Sequence, residues 1–113
     1  MRKRPEPIPY PAAPFHLSAR SAALWHELGP TKADTVGRRV LFQAALEALD
    51  RADQARAVIS AEGLVTTTRA SGAVHIHPLV KCELDSRRQF ASIWASLGLG
   101  ETSASGFGAL LGS

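Results

Sequence analysis

Cysteine is almost absent from the 113-residue chain: Cys82 stands alone, which excludes an internal disulfide and a cysteine-based zinc staple. A small fold must then hold by packing. Long apolar runs are missing too, since no stretch approaches the roughly 20 uncharged apolar residues of a membrane helix, so no membrane partner is expected. Nor is there a strong excess of one charge. Thirteen Lys and Arg against ten Asp and Glu leave a formal +3, although a pI near 9.6 makes nucleic acid a partner to test. What is present, 45% hydrophobic and 20% charged residues, fits one folded domain.

The ends differ from the middle. Arg2, Lys3 and Arg4 open the chain, and Pro5, Pro7, Pro9, Pro11 and Pro14 follow them. Prolines in place of an apolar segment do not read as a secretory signal, and the expectation is a cytoplasmic protein. Residues 1–14 read as a flexible, basic, proline-rich arm. Residues 98–113 form a glycine-rich tail with a single charge, Glu101. Between them lies a helical body, residues 15–97, short enough to be marginal alone.

Ser18 is placed to cap a first helix that the Gly29-Pro30 pair should stop, with Trp25 at the centre of its apolar face. Thr31 and Asp34 resemble a Thr-x-x-acid box opening a second helix of about 30 residues, roughly 45 Å, that ends at Glu62 and Gly63. Leu41, Ala45, Ala48, Ala52, Ala55 and Ile59 form its seam at alternating spacings of four and three, and Phe42, Leu46 and Leu49 widen the apolar face. A body of this size should cover only one such face, so the seam is expected to join subunits of a closed homo-oligomer. Glu47 with Arg51 and Asp53 with Arg56 read as pairs on a solvated face. Gly37 should weaken the start of the helix by about 1 kcal/mol.

Residues 64–69 and 73–77 are rich in branched side chains and joined by Ala70, Ser71 and Gly72, which predicts a hairpin within 64–77. Pro78 then opens a third helix that Gly98 stops. The fold class is thus mainly α: short helix, long helix, small β-hairpin and C-terminal helix.

No catalytic constellation is visible. His75 and His77 share one face of a predicted strand near Cys82, yet three candidate ligands fall short of a structural zinc set, and they read as two surface imidazoles and a small buried thiol. Cys82 has no identifiable base and orienting group, and the glycine-rich tail lacks the lysine of a phosphate loop. The expectation is a non-enzyme without cofactor or metal. The two helices around Gly29-Pro30 could form a helix-turn-helix, but a recognition helix is short and this second one is not. Phosphate contacts are instead assigned to Arg2, Lys3 and Arg4, supported by Lys32, Arg38 and Arg39, which implies weak binding with little sequence preference.

The order of segments resembles the small subunit of phage terminases, in the compact helical family of long-tailed phages and prophages. The resemblance runs over residues 17–99 on LSARSAALWHEL with Leu17, Ala22, Leu24 and Trp25, on the TKAD segment, and on Glu62-Gly63-Leu64. Its most specific stretch is SGAVHIHPLVKCELDSRRQFASIWASLGL, with Gly72, the His77-Pro78 junction, Lys81, Glu83, Phe90 and the Leu97-Gly98-Leu99 ending. The resemblance implies a non-catalytic ring in the cytoplasm of a bacterial host, engaging double-stranded viral DNA and regulating the large terminase subunit that carries the ATPase and nuclease. In that setting Phe107, Ala109, Leu110 and Leu111 of the tail are expected to dock on the large subunit. The alternative is a small helical scaffold or regulatory protein without DNA function.

Overall fold

The computed structural model describes residues 9–67 and 70–99. Helix α1 spans Ala19–Lys32, α2 Val36–Glu62 and α3 Leu79–Ser96, with strands β1 Val65–Thr67 and β2 Val74–Ile76 between the last two helices. The fold is mainly helical, and the two strands pair antiparallel with Val65 opposite Ile76 and Thr67 opposite Val74.

Ser18 caps α1 as its position predicts, its hydroxyl accepting from the Ser21 amide at 3.1 Å. The helix does not stop at Gly29-Pro30. It continues to Lys32 with Pro30 inside its last turn, and Gly29 keeps a negative φ. Glycine is needed there for a close approach instead: a Cβ on Gly29 would lie 2.6 Å from Cζ of Tyr10. The Tyr10 hydroxyl donates to the Ala33 carbonyl at 2.9 Å, and the Ala33 amide still closes on Gly29 O at 2.8 Å. Pro30 only removes one amide donor, which a last turn tolerates when tertiary contacts hold it.

The expected box at Thr31 is therefore displaced. Thr35 caps α2, accepting from the Arg38 amide at 3.2 Å, and the helix has 27 residues, about 40 Å. Gly63 ends it with φ 94° and donates to Ile59 O at 2.7 Å. A side chain at such a φ is strained, so glycine is suited to this exit.

Both other helices pack on α2, α3 more extensively than α1. This overturns the assignment of the seam to an intersubunit contact. Ala45, Ala48, Ala52, Ala55 and Ile59 are buried within one chain, and Leu41 alone of the seam stays exposed. Small alanine side chains do admit a second helix closely, but the helix available is the chain's own α3. Side-chain bridges fix the pairing: Arg51 reaches Gln89 at 3.0 Å, Arg56 reaches Glu83 at 2.7 Å and Arg87 reaches Asp53 at 3.5 Å. The charges read as neighbours along α2 thus work between helices, with Asp53 also holding Arg20 of α1 at 2.6 Å.

The core is a chain of aromatic contacts. Tyr10 meets Trp25 at 5.5 Å, Trp25 stacks on Phe42 at 5.9 Å, Phe42 meets Trp94 at 6.2 Å and Trp94 meets Phe90 at 4.8 Å. Five of the seven aromatic residues thereby link the proline-rich segment and all three helices, and Leu17, Ala33, Leu46, Leu97 and Leu99 close around them. Residues 9–14 are consequently docked instead of standing away as part of an arm. Trp25 Nε1 donates to the Pro11 carbonyl at 2.8 Å, completing the anchor made by Tyr10.

Candidate nucleic-acid interface

The turn between α1 and α2 gathers the described members of the predicted phosphate-binding set. Lys32 is the last residue of α1, and Arg38 and Arg39 lie in the first turn of α2. The anchor at Tyr10 brings the described chain from Pro9 to the same end of the molecule. Arg2, Lys3 and Arg4 lie outside the described residues.

The three cations are not equivalent. Arg38 is half-buried, donating from Nε to Lys32 O at 2.7 Å and from Nη2 to Leu97 O at 2.5 Å. It ties the end of α1 to the end of α3, a structural staple where the sequence suggested a phosphate contact. Arg39 lies with its guanidinium carbon 5.1 Å from the Tyr10 ring centroid, a cation–π contact that orients it without neutralising it. Its Nε is buried without a hydrogen-bond partner. An open cleft of about 440 Å³ runs along this pair, lined by Pro9, Tyr10, Pro11, Pro30, Asp34 and Arg39. Arg39 can offer positive charge to a phosphodiester backbone in this cleft, with Asp34 opposing it, and Lys32 closes α1 two residues before Asp34.

Three polar clusters support this body. The buried carboxylate of Asp50 accepts from the Ser18 amide at 2.8 Å, the Ser18 hydroxyl at 2.6 Å and the Ser21 hydroxyl at 2.6 Å. Burial works to raise its pKa, but the Ser18 and Ser21 hydrogen bonds outweigh it and hold the carboxyl below its ordinary value. Glu83 is held down in the same direction, first by the hydrogen bond from Arg56, against burial and with help from Arg87. Glu47, on the outer face, is lowered chiefly by its hydrogen bond with His16 at 2.6 Å and then by that from Gln43.

His77 follows β2 and is buried, unlike the surface imidazole the sequence suggested. Its Nδ1 accepts from the Leu79 amide at 3.1 Å, so the ring proton belongs on Nε2, which faces Glu62 Oε1 at 3.0 Å. His77 therefore caps α3 through its side chain, in place of Pro78, which has none to offer. Cys82 is half-buried in a shallow groove with Ala55, Val58 and Leu79. Among the described residues no group of three or more His, Cys, Asp or Glu side chains gathers.

Sequence reasoning missed Tyr10, Asp50 and the cap role of His77. Asp50 carried one usable signal, a carboxylate set among Leu46, Ala48, Leu49 and Ala52 on the apolar side of a helix, where an unpaired charge is not tolerated. The tail residues Phe107, Leu110 and Leu111 lie outside the described residues. No family model, no curated protein and no solved structure matches this chain.

Proposed function

We propose that this chain is the small subunit of a phage terminase, a non-catalytic ring subunit that engages double-stranded DNA and regulates the large terminase subunit in the cytoplasm of a bacterial host. The observation that carries the reading is where the residues of the resemblance fall. Trp25 and Phe90 belong to the aromatic chain, and Leu97 and Leu99 close it. Gly63, Gly72 and Gly98 take positive φ, and Glu62 and His77 form the joint that opens α3. These residues of the resemblance are ones this fold depends on, which supports a common architecture, while Leu64 and Lys81 of the same resemblance stay exposed. Convergence of Lys32, Arg39 and the anchored Pro9–Pro11 segment at one end supports a DNA-facing surface. No described helix is long and apolar enough to cross a membrane.

Two measurements test the reading together. The chain should co-purify with its large terminase subunit and raise that subunit's ATPase rate. It should also bind unrelated duplexes with similar affinity, falling steeply with salt at a log-log slope of about −0.9 per phosphate neutralised. Replacing Arg2, Lys3 and Arg4 together by alanine should weaken binding to every duplex alike and flatten that slope. Absence of both DNA binding and large-subunit stimulation would favour a scaffold or regulatory protein without DNA function, the reading favoured by the internal use of Arg38.

A further inference from the structure

The cleft beside Tyr10 holds two charged groups for which the described fold has no use. Arg39 makes no hydrogen bond or ion pair among the described residues, and its guanidinium is positioned by the Tyr10 ring, 5.1 Å from the centroid. Its Nε is buried without a partner, whereas Nη1 and Nη2 stay accessible on a residue that lines the cleft. Asp34 lines the same cleft, is exposed, and pairs neither with Arg39 nor with another described residue. Thr35, not Asp34, caps α2. The remaining wall is made of the Pro9, Pro11 and Pro30 rings and Tyr10, and it is fixed in advance: the Tyr10 hydroxyl is tied to Ala33 O at 2.9 Å and the Pro11 carbonyl to Trp25 Nε1 at 2.8 Å. The volume, about 440 Å³, falls within the roughly 300–1,000 Å³ of pockets that take small molecules.

We propose that this cleft binds the base of an unpaired guanine in a nucleic-acid strand, with the Arg39 guanidinium donating to guanine O6 and N7 and Asp34 accepting from N1–H and the N2 amino group. One cation and one carboxylate on a small cleft leave no net charge, so a phosphate meets opposition from Asp34 as well as attraction from Arg39. The ligand that satisfies both is neutral, with two acceptors along one edge and two donor groups along the next. Guanine has this pattern. Adenine, cytosine and thymine each bring a single donor group, so none of them occupies the guanidinium and both carboxylate oxygens together.

The walls fit the rest of the base. Proline rings offer flat apolar surface without donors, and the ring contact with Tyr10 holds the planar fork that a two-bond contact requires. Arg39 is the sole cation among the described residues lining the cleft, so the phosphates of a free guanosine di- or triphosphate find no partner there, which favours a base carried by a strand. In a duplex, guanine N1–H and the N2 amino group are taken by cytosine, so the cleft reads guanine only where it is single-stranded or rotated out of the stack. Binding of intact duplex through phosphates keeps its indifference to sequence. That the base belongs to a strand rests on the proposed function; recognition of the base does not.

The test titrates the full chain, by fluorescence anisotropy, into a labelled single strand of thymidines that carries one central guanine, and into the same strand with that base replaced. Guanine should bind about ten-fold more tightly than thymine, the gain of one good bidentate pair. Inosine, which lacks the N2 amino group, and 7-deazaguanine, which lacks N7, should each lose most of that gain, and the preference should vanish once the strands are annealed to their complements. Asp34→Asn and Arg39→Lys, with folding checked by circular dichroism, should each erase the preference, since lysine keeps the charge but not the planar fork. Guanosine monophosphate, titrated by calorimetry, should bind more weakly than the strand. No preference for guanine, a preference that survives inosine and 7-deazaguanine, or folded variants that retain it overturn the proposal, and monophosphate bound as tightly as the strand overturns the strand as the source of the base. Salt-dependent duplex binding and large-subunit stimulation without a guanine preference would sink the cleft and leave the terminase reading standing; a guanine preference with neither of them would do the reverse.

Discussion

Asp50 is the single buried carboxylate on which the start of α1 rests, and its removal has a calculable consequence. Asp50→Ala leaves the Ser18 amide and two hydroxyls without their acceptor. The Ser21 hydroxyl keeps a weak alternative at Leu46 O, 3.4 Å away, and the Ser18 hydroxyl can turn to solvent, but the amide is fixed. Hydrogen bonds to a charged group contribute about 1.5–3 kcal/mol each and are not additive when shared, so a loss of about 3 kcal/mol is expected. For a domain of this size that lowers the melting midpoint by about 12–24 °C. Asp50→Asn keeps the shape and one acceptor and should lose about 1–2 kcal/mol. The folded carboxyl titrates below its ordinary value of 3.8, so its ionised form stabilises the fold fully above about pH 4. That stability is lost as pH falls through the folded value. The gap between wild type and Asp50→Asn, read from urea melts, should hold steady from about pH 7 to pH 5 and narrow below about pH 4. A gap unchanged at pH 3, or an Asp50→Ala midpoint equal to wild type, would refute the reasoning.

Two further substitutions follow from close contacts. Gly29→Ala drives a methyl into the Tyr10 ring and should destabilise by about 1–2 kcal/mol; in a Tyr10→Ala background the same change should be neutral or slightly stabilising, and additive effects in thermal melts would show that the ring does not hold this position. Glu83 should titrate below 4.5 in a carboxyl NMR titration, so that its contribution is present above the ordinary range and lost as pH falls through the folded value. Arg56→Ala should move that midpoint up, and an unmoved midpoint would mean that Arg87 alone carries the effect.

The parts of this fold that depend on local rules were legible in the sequence. Spacing revealed three helices, branched residues around Gly72 revealed the hairpin, and Gly63 and Gly98 marked helix ends because a positive φ is a local requirement. What failed was every inference that needed to know the neighbour. Gly29-Pro30 satisfies the rule for a helix stop, but Tyr10, 19 positions earlier, occupies the space of the missing Cβ and continues the helix instead. The Ala45–Ile59 stripe announces a close helix contact and is silent on whether the partner is a second copy or α3. Asp50 pairs with serines 29 and 32 positions away, a separation at which no periodicity operates. The same limit turned Glu47, Arg51, Asp53 and Arg56 from neighbours along α2 into ties to His16, Gln89, Arg20, Arg87 and Glu83.

Few of the described cations are free of internal partners, since Arg20, Arg51, Arg56 and Arg87 bridge helices and Arg38 staples carbonyls. On the proposed function, a single subunit would therefore bring few of its described cations to a duplex, and repetition of Lys32 and Arg39 around a ring would place such contacts at high effective concentration on the same duplex. Linkage then requires the converse: DNA that spans several subunits would favour the assembled state over free protomers.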